Sequence, residues 1–150
     1  MQHERCLEKE HTSILETKGE IKMILSKDIN TFLSDFDFTE SIVERVNWDE
    51  NLLDLLVVVL YDMDRHEGKE ESRKLTIRFK NCLEANFAMP KCFDNIPKDE
   101  LNNYIYSWYT ITNFAIENDD EVIKASVKTI DNDPRWLTVK CKELWVEGEA

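Results

Sequence analysis

Between Leu55 and Leu60 the chain reads Leu-Leu-Val-Val-Val-Leu, so both parities of an extended segment are apolar. A strand alternates its side chains between two faces, and a run apolar on both has to be covered above and below. The run is short, rich in Val and Leu, and closed by Asp62 and Asp64. It predicts a central strand buried on both faces, with other elements packed on each.

The rest of the chain supplies candidates for those elements. Ile21, Leu25, Ile29, Phe32, Leu33 and Phe36 recur at steps of three and four, which predicts an amphipathic helix of about four turns from Glu20. Residues 1–18 are polar and read as a loose N-terminal segment. Ile42, Val46 and Trp48 share one parity, predicting a first strand over 42–48. The turn Asp49-Glu50-Asn51 makes that strand a hairpin partner of the central one. Residues 62–73 read as a long charged loop.

From Lys74 to Met89 the apolar residues Leu75, Ile77, Phe79, Leu83, Ala85, Phe87 and Met89 all fall on odd positions, with Asn81 the one polar interruption. This predicts a half-solvated strand, or two collinear strands bent at Asn81. Residues 90–103 are a connection, with a helical turn over 97–101. Strands are then expected over 104–116, 122–130 and 136–146, with turns at 117–121 and 131–134. The apolar parity changes in the last strand, which predicts a bulge near Lys142. Short links leave no room for parallel crossovers. The predicted class is α+β: a twisted antiparallel sheet of six or seven strands, or a partly closed barrel, with an N-terminal helix on one face.

With 150 residues, 42% apolar and only three Gly and three Pro, the chain is expected to form one domain with one core. Its net charge is −12. Residues 36–71 hold 11 Asp and Glu against 3 Lys and Arg, or −8 of that total. Such a field repels nucleic acid and anionic membranes and favours a basic partner. The segment Met1-Gln-His-Glu-Arg-Cys6 has no apolar stretch of the secretory kind, and no run approaches a membrane-spanning length. Cys6, Cys82, Cys92 and Cys141 form no Cys-x-x-Cys pair and read as reduced thiols. A cytoplasmic protein is expected.

No motif commits the chain to catalysis. His3, Cys6 and His11 lack a fourth zinc ligand. His66, beside Asp64 and Glu67, reads as part of a solvated loop. The carboxylate pairs Asp62/Asp64, Glu70/Glu71, Asp119/Asp120 and Asp131/Asp133 fall in expected turns, where Asp and Asn serve the backbone. No catalytic residue, metal or cofactor is assigned. Tyr104, Tyr106, Trp108 and Tyr109 crowd four aromatics into six residues, more than one face of a strand can bury. Tyr and Trp are frequent interface anchors.

The stretch Leu75-Thr-Ile-Arg-Phe-Lys-Asn-Cys82, with Trp48 and the Leu-Val-Val-Val strand before it, resembles small acidic proteins of bacterial polymorphic-toxin neighbourhoods. Some of these are regarded as immunity proteins. The resemblance covers roughly residues 36–90. Phe38-Thr39-Glu40-Ser41 stands where such proteins often have His-Asp-Ser, so no functional residue carries over. The resemblance implies a non-enzymatic inhibitor of a partner protein. In that reading Asp62, Asp64, Glu67, Glu70 and Glu71 steer a basic target, and Tyr106 and Trp108 anchor it. A phage-type inhibitor of a host protein has the same physical signature. The alternatives are a small-ligand-binding barrel lined by Trp48, Tyr61 and Trp108, and self-association through an edge strand.

Overall fold

The apolar run forms a strand that is buried at five consecutive positions, Leu55 to Val59. Leu55, Val57 and Val59 enter the main core, while Leu56 and Val58 are covered on the opposite face. The computed structural model describes residues 14–17, 20–88, 97, 99–100, 108–130 and 132–149, with side chains for all of these except 14–17, 20–21 and 132–134. In chain order the elements are β1 (Ile14–Thr17), β2 (Glu20–Ser26), α1 (Ile29–Asp35), β3 (Ile42–Trp48), β4 (Leu55–Leu60), α2 (Met63–His66), β5 (Lys74–Lys80), β6 (Glu84–Phe87), β7 (Ile111–Asp119), β8 (Val122–Thr129), β9 (Asn132–Cys141) and β10 (Glu143–Glu149).

These strands form two sheets rather than one. The first has the order β1-β2-β10-β5-β4-β3 and the second β6-β9-β8-β7, with every pairing antiparallel. The expected β3–β4 hairpin forms, with Trp48 opposite Leu55 and Ile42 opposite Leu60. A bulge between Val43 and Arg45 changes the facing of β3, so Val43 is buried where the alternation alone pointed to Ile42.

Two pairs of strands join the sheets. β5 continues into β6 and β9 continues into β10; β5 pairs with β10 in the first sheet, and β6 with β9 in the second. The bend expected at Asn81 is present, with φ at 50°, a left-handed conformation that Asn tolerates better than most residues. The parity change near Lys142 is the matching bend, where the chain leaves the second sheet for the first. Lys142 N–H donates to the Lys80 carbonyl at 3.0 Å and Leu83 N–H to the Lys140 carbonyl at 2.7 Å, closing the corner. The residues inward on either side of these bends form one core. Leu75, Ile77, Phe79, Leu144 and Val146 come from the first sheet, and Ala125, Val127, Leu137, Val139 and Cys141 from the second.

The N-terminal helix is half the expected length. Residues 20–26 are a strand instead, because β10 offers a free ladder to β2 and tertiary pairing overrides a helical stripe. The helix starts where Asp28 caps it, accepting from Thr31 N–H at 2.8 Å and from the Thr31 hydroxyl at 3.0 Å. Phe32 then enters an aromatic group with Phe38 and Phe114, at ring separations of 5.4 Å each. Phe36 and Tyr61 extend the group, and Phe79 stacks on Phe114 across the two sheets at 6.4 Å. The space between the sheets is thus filled by side chains, and the sheets do not close into a barrel. Among the described residues no helix is long and apolar enough to cross a membrane.

Cys141 lies in the inner layer with no exposed surface, and burial pushes its thiol up to about 12. Its thiol is therefore expected to resist iodoacetamide in the native protein and to react once denaturant unfolds it, as peptide mapping by mass spectrometry will show.

Candidate functional site

The charged loop after β4 is organised around one buried carboxylate. Asp64 has no exposed side-chain surface, yet it accepts from Arg73 backbone N–H at 2.8 Å, Arg73 Nε at 3.0 Å, Arg73 Nη2 at 3.0 Å and Lys69 Nζ at 3.2 Å. Burial by itself raises the Asp64 pKa, but these bonds from Arg73 and Lys69 outweigh it and hold the carboxyl below its ordinary value. Asp64 therefore shapes the loop and is no part of an exposed rim, which corrects its expected steering role. Asp62 is partly buried and paired with His66, while Glu67, Glu70 and Glu71 face solvent.

The expected aromatic anchors fare differently. Tyr106, like Tyr104 and the His3/Cys6/His11 group, lies outside the described residues. Trp108 is only 4% exposed, and it is helical rather than part of a strand. A buried indole cannot anchor a partner, so that assignment is corrected. Tyr109 beside it packs edge-on to Trp136 at 5.7 Å. The three residues expected to line a ligand-binding barrel do not converge either. Tyr61 is in the aromatic core, where its hydroxyl accepts from Asp37 N–H at 3.1 Å, whereas Trp48 stands at the far end of the β3–β4 hairpin.

A second charged group lies on the outer face of the first sheet, across β4, β5 and β10. Arg78 Nη1 donates to Asp54 at 2.7 Å, and Arg78 Nε donates to Glu147, which has no exposed surface. The other Asp54 oxygen accepts from Asn81 N–H at 2.9 Å, at the bend between the sheets. Burial lowers the Arg78 pKa, but Glu147 and Asp54 more than offset that, so the guanidinium stays charged. Glu147 Oε2 has no hydrogen-bond partner. Arg78 and Glu147 were hidden in the sequence, since Arg78 falls on the polar parity of an amphipathic strand and Glu147 lies just past the strand expected over 136–146.

The same Asp54 helps to build the most exposed apolar feature among the described residues. The turn from Asp49 to Asp54 is closed by Asp49 N–H donating to the Asp54 carbonyl at 3.0 Å. Asp49 Oδ1 accepts from Leu53 N–H at 3.0 Å and from Asp54 N–H at 3.1 Å. This fixed turn holds Leu52 at φ 60°, a left-handed conformation that is costly for a Leu. Leu52 is 72% exposed, Leu53 52% and Trp48 41%. Cys82 N–H donates to the Leu53 carbonyl at 2.8 Å, which ties this turn to the bend carrying Leu83, itself 57% exposed. Leu83 in turn borders a shallow concavity of about 500 Å³ whose wall includes the exposed Asp119, Asp120 and Glu121. Leu52 and Leu53 could have been suspected from their place between a turn and a strand, two leucines with no polar residue between them.

Near the opposite end of the hairpin, His66 Nε2 lies 2.9 Å from Asp62 Oδ2 and 3.5 Å from Glu40 Oε2. No family model matches the chain, and no curated protein matches it.

Two stability experiments probe the charged groups. Asp64→Ala is expected to cost about 2 kcal/mol at pH 7, the scale of bonds to a charged group whose cations remain half in water. Because the folded Asp64 pKa is depressed, its stabilisation is complete above pH about 4 and disappears as the pH falls through the folded value. The gap between wild type and variant should therefore close in acid, which urea denaturation at several pH values will show. Arg78→Leu strands two buried carboxylates without a cation and is expected to cost about 3–5 kcal/mol.

Proposed function

We propose that this is a non-enzymatic protein that binds and inhibits a basic protein, in the manner of an immunity protein. The observation that carries the reading is the exposure of Leu52 and Leu53 on a turn clamped by Asp49 and Asp54, with Trp48 exposed at the adjoining strand end and Leu83 at the bend tied to that turn. Exposing three leucines and a tryptophan together is unfavourable, and covering each is worth about 1.5–3 kcal/mol. The left-handed Leu52 backbone adds a second cost. A fixed protrusion of this kind loses little entropy when a partner covers it.

Charge defines the partner. Glu50, Asp119, Asp120 and Glu121 are exposed around the leucines, and Glu67, Glu70 and Glu71 extend the negative field from the far end of β4. A basic surface with an apolar hollow is the complement. Toxic nucleases, whose clefts must attract phosphates, have such surfaces, and the resemblance over 36–90 points the same way.

The test begins with capture of the partner from the native cells at low and high salt, followed by binding measurements with the purified pair. Leu52→Asp with Leu53→Asp is expected to weaken binding at least about thirtyfold, through faster dissociation, without unfolding the protein. Neutralising Glu67, Glu70 and Glu71 is expected to slow association and flatten its salt dependence. A partner bound equally well by the double leucine variant, or one whose activity is unchanged when saturated, would remove this reading.

A further inference from the structure

No metal is assigned from the sequence, where Asp62 and His66 stand alone in a charged loop. The fold brings Glu40, a residue 22 positions before Asp62, to the same place. We infer that Glu40, Asp62 and His66 form a binding site for one divalent transition-metal ion of the zinc type.

The donor set is the first argument. Imidazole nitrogen and carboxylate oxygen are both zinc donors, and three protein ligands leave the remaining position to water. Distance is the second. Tetrahedral zinc with bonds of about 2.0–2.1 Å has ligand atoms about 3.3 Å apart. The distances from His66 Nε2 to Asp62 Oδ2 and Glu40 Oε2, 2.9 and 3.5 Å, lie on either side of that value. All three ligand atoms fall within 4.8 Å of one another.

The convergence is also independent of the histidine. Asp62 N–H is held by the buried Ser41 hydroxyl at 3.0 Å, and Glu40 N–H donates to the Ile111 carbonyl at 2.7 Å. Ser41 N–H and carbonyl are fixed in turn, by Phe38 O at 3.1 Å and Ile111 N at 2.8 Å. Backbone anchors thus bring two carboxylates to one nitrogen. His66 follows on the single turn α2, four residues after Asp62.

Calorimetric titration of the whole protein with zinc chloride at pH 7.5 tests the site, with manganese as a paramagnetic probe. Because other His and Cys residues of the chain also have affinity for zinc, the readout is residue-resolved. One equivalent of zinc should be lost in His66→Ala and bound at least about tenfold more weakly in Glu40→Gln and in Asp62→Asn. Glu70→Gln is the control and should leave it unchanged. Manganese should broaden amide signals of residues 39–41 and 62–67 in wild type and spare them in His66→Ala. Affinity should weaken as the pH falls, since a protonated imidazole is no ligand. All three ligating side chains are at least partly exposed, and the variants are expected to fold as wild type does. Equal zinc binding by wild type and His66→Ala, or manganese broadening confined to other residues, overturns the inference. So does absence of binding at millimolar zinc.

Discussion

One guanidinium holds the geometry of the corner on which both sheets depend. Arg78 in β5 bridges Asp54, the residue just before β4, and Glu147 in β10, so the first sheet is tied across its outer face. Asp54 uses its remaining oxygen on the Asn81 backbone, at the bend where β5 leaves for the second sheet. It also closes the turn that carries Leu52 and Leu53 through its own main chain. A buried ion group of this kind is no guarantee of net stability, because desolvation consumes much of the attraction. Its contribution is positional. It fixes where the chain bends and which way the adjoining turn points.

Much of the sheet architecture was written locally. The β3–β4 hairpin, the period-2 strand with its break at Asn81, and the alternation of Ile123, Ala125 and Val127 all follow from side-chain parity and turn residues. The strand over 20–26 was not legible, because Ile21, Leu25 and Ile29 satisfy a helical stripe while the β10 ladder that recruits β2 lies more than a hundred residues away. The division into two sheets was hidden for a related reason. A parity change at Lys142 looks the same in sequence whether the strand bulges within one sheet or crosses to another.

The candidate surface was legible in its chemistry more than in its residues. Acidic character over 36–71 persists at Glu67, Glu70 and Glu71, but Asp64 has all its bonding capacity turned inward to Arg73 and Lys69. Charge counting gives no sign of that, since burial of a carboxylate depends on which cations the fold brings to it. The aromatic cluster misled in the opposite direction. Trp108 is large enough to be drawn under the structure, and the exposed apolar surface described here belongs instead to leucines on a turn. Backbone conformation marks that turn as unusual: a left-handed Leu is a local conflict that only the finished fold reveals.

The paired bends have a mechanical consequence. The stretches β5–β6 and β9–β10 each belong to both sheets, and the bends face each other across the same corner. Neither sheet can be pulled away from its neighbour without breaking a strand in the middle, so no hinge line runs between them. Sub-global opening then has to begin at the margins, with β1, β3 or β7, and slow amide exchange should extend without interruption through Ile77, Phe79, Val139 and Val146 across the sheet boundary. Two sheets arranged in this way melt as one unit.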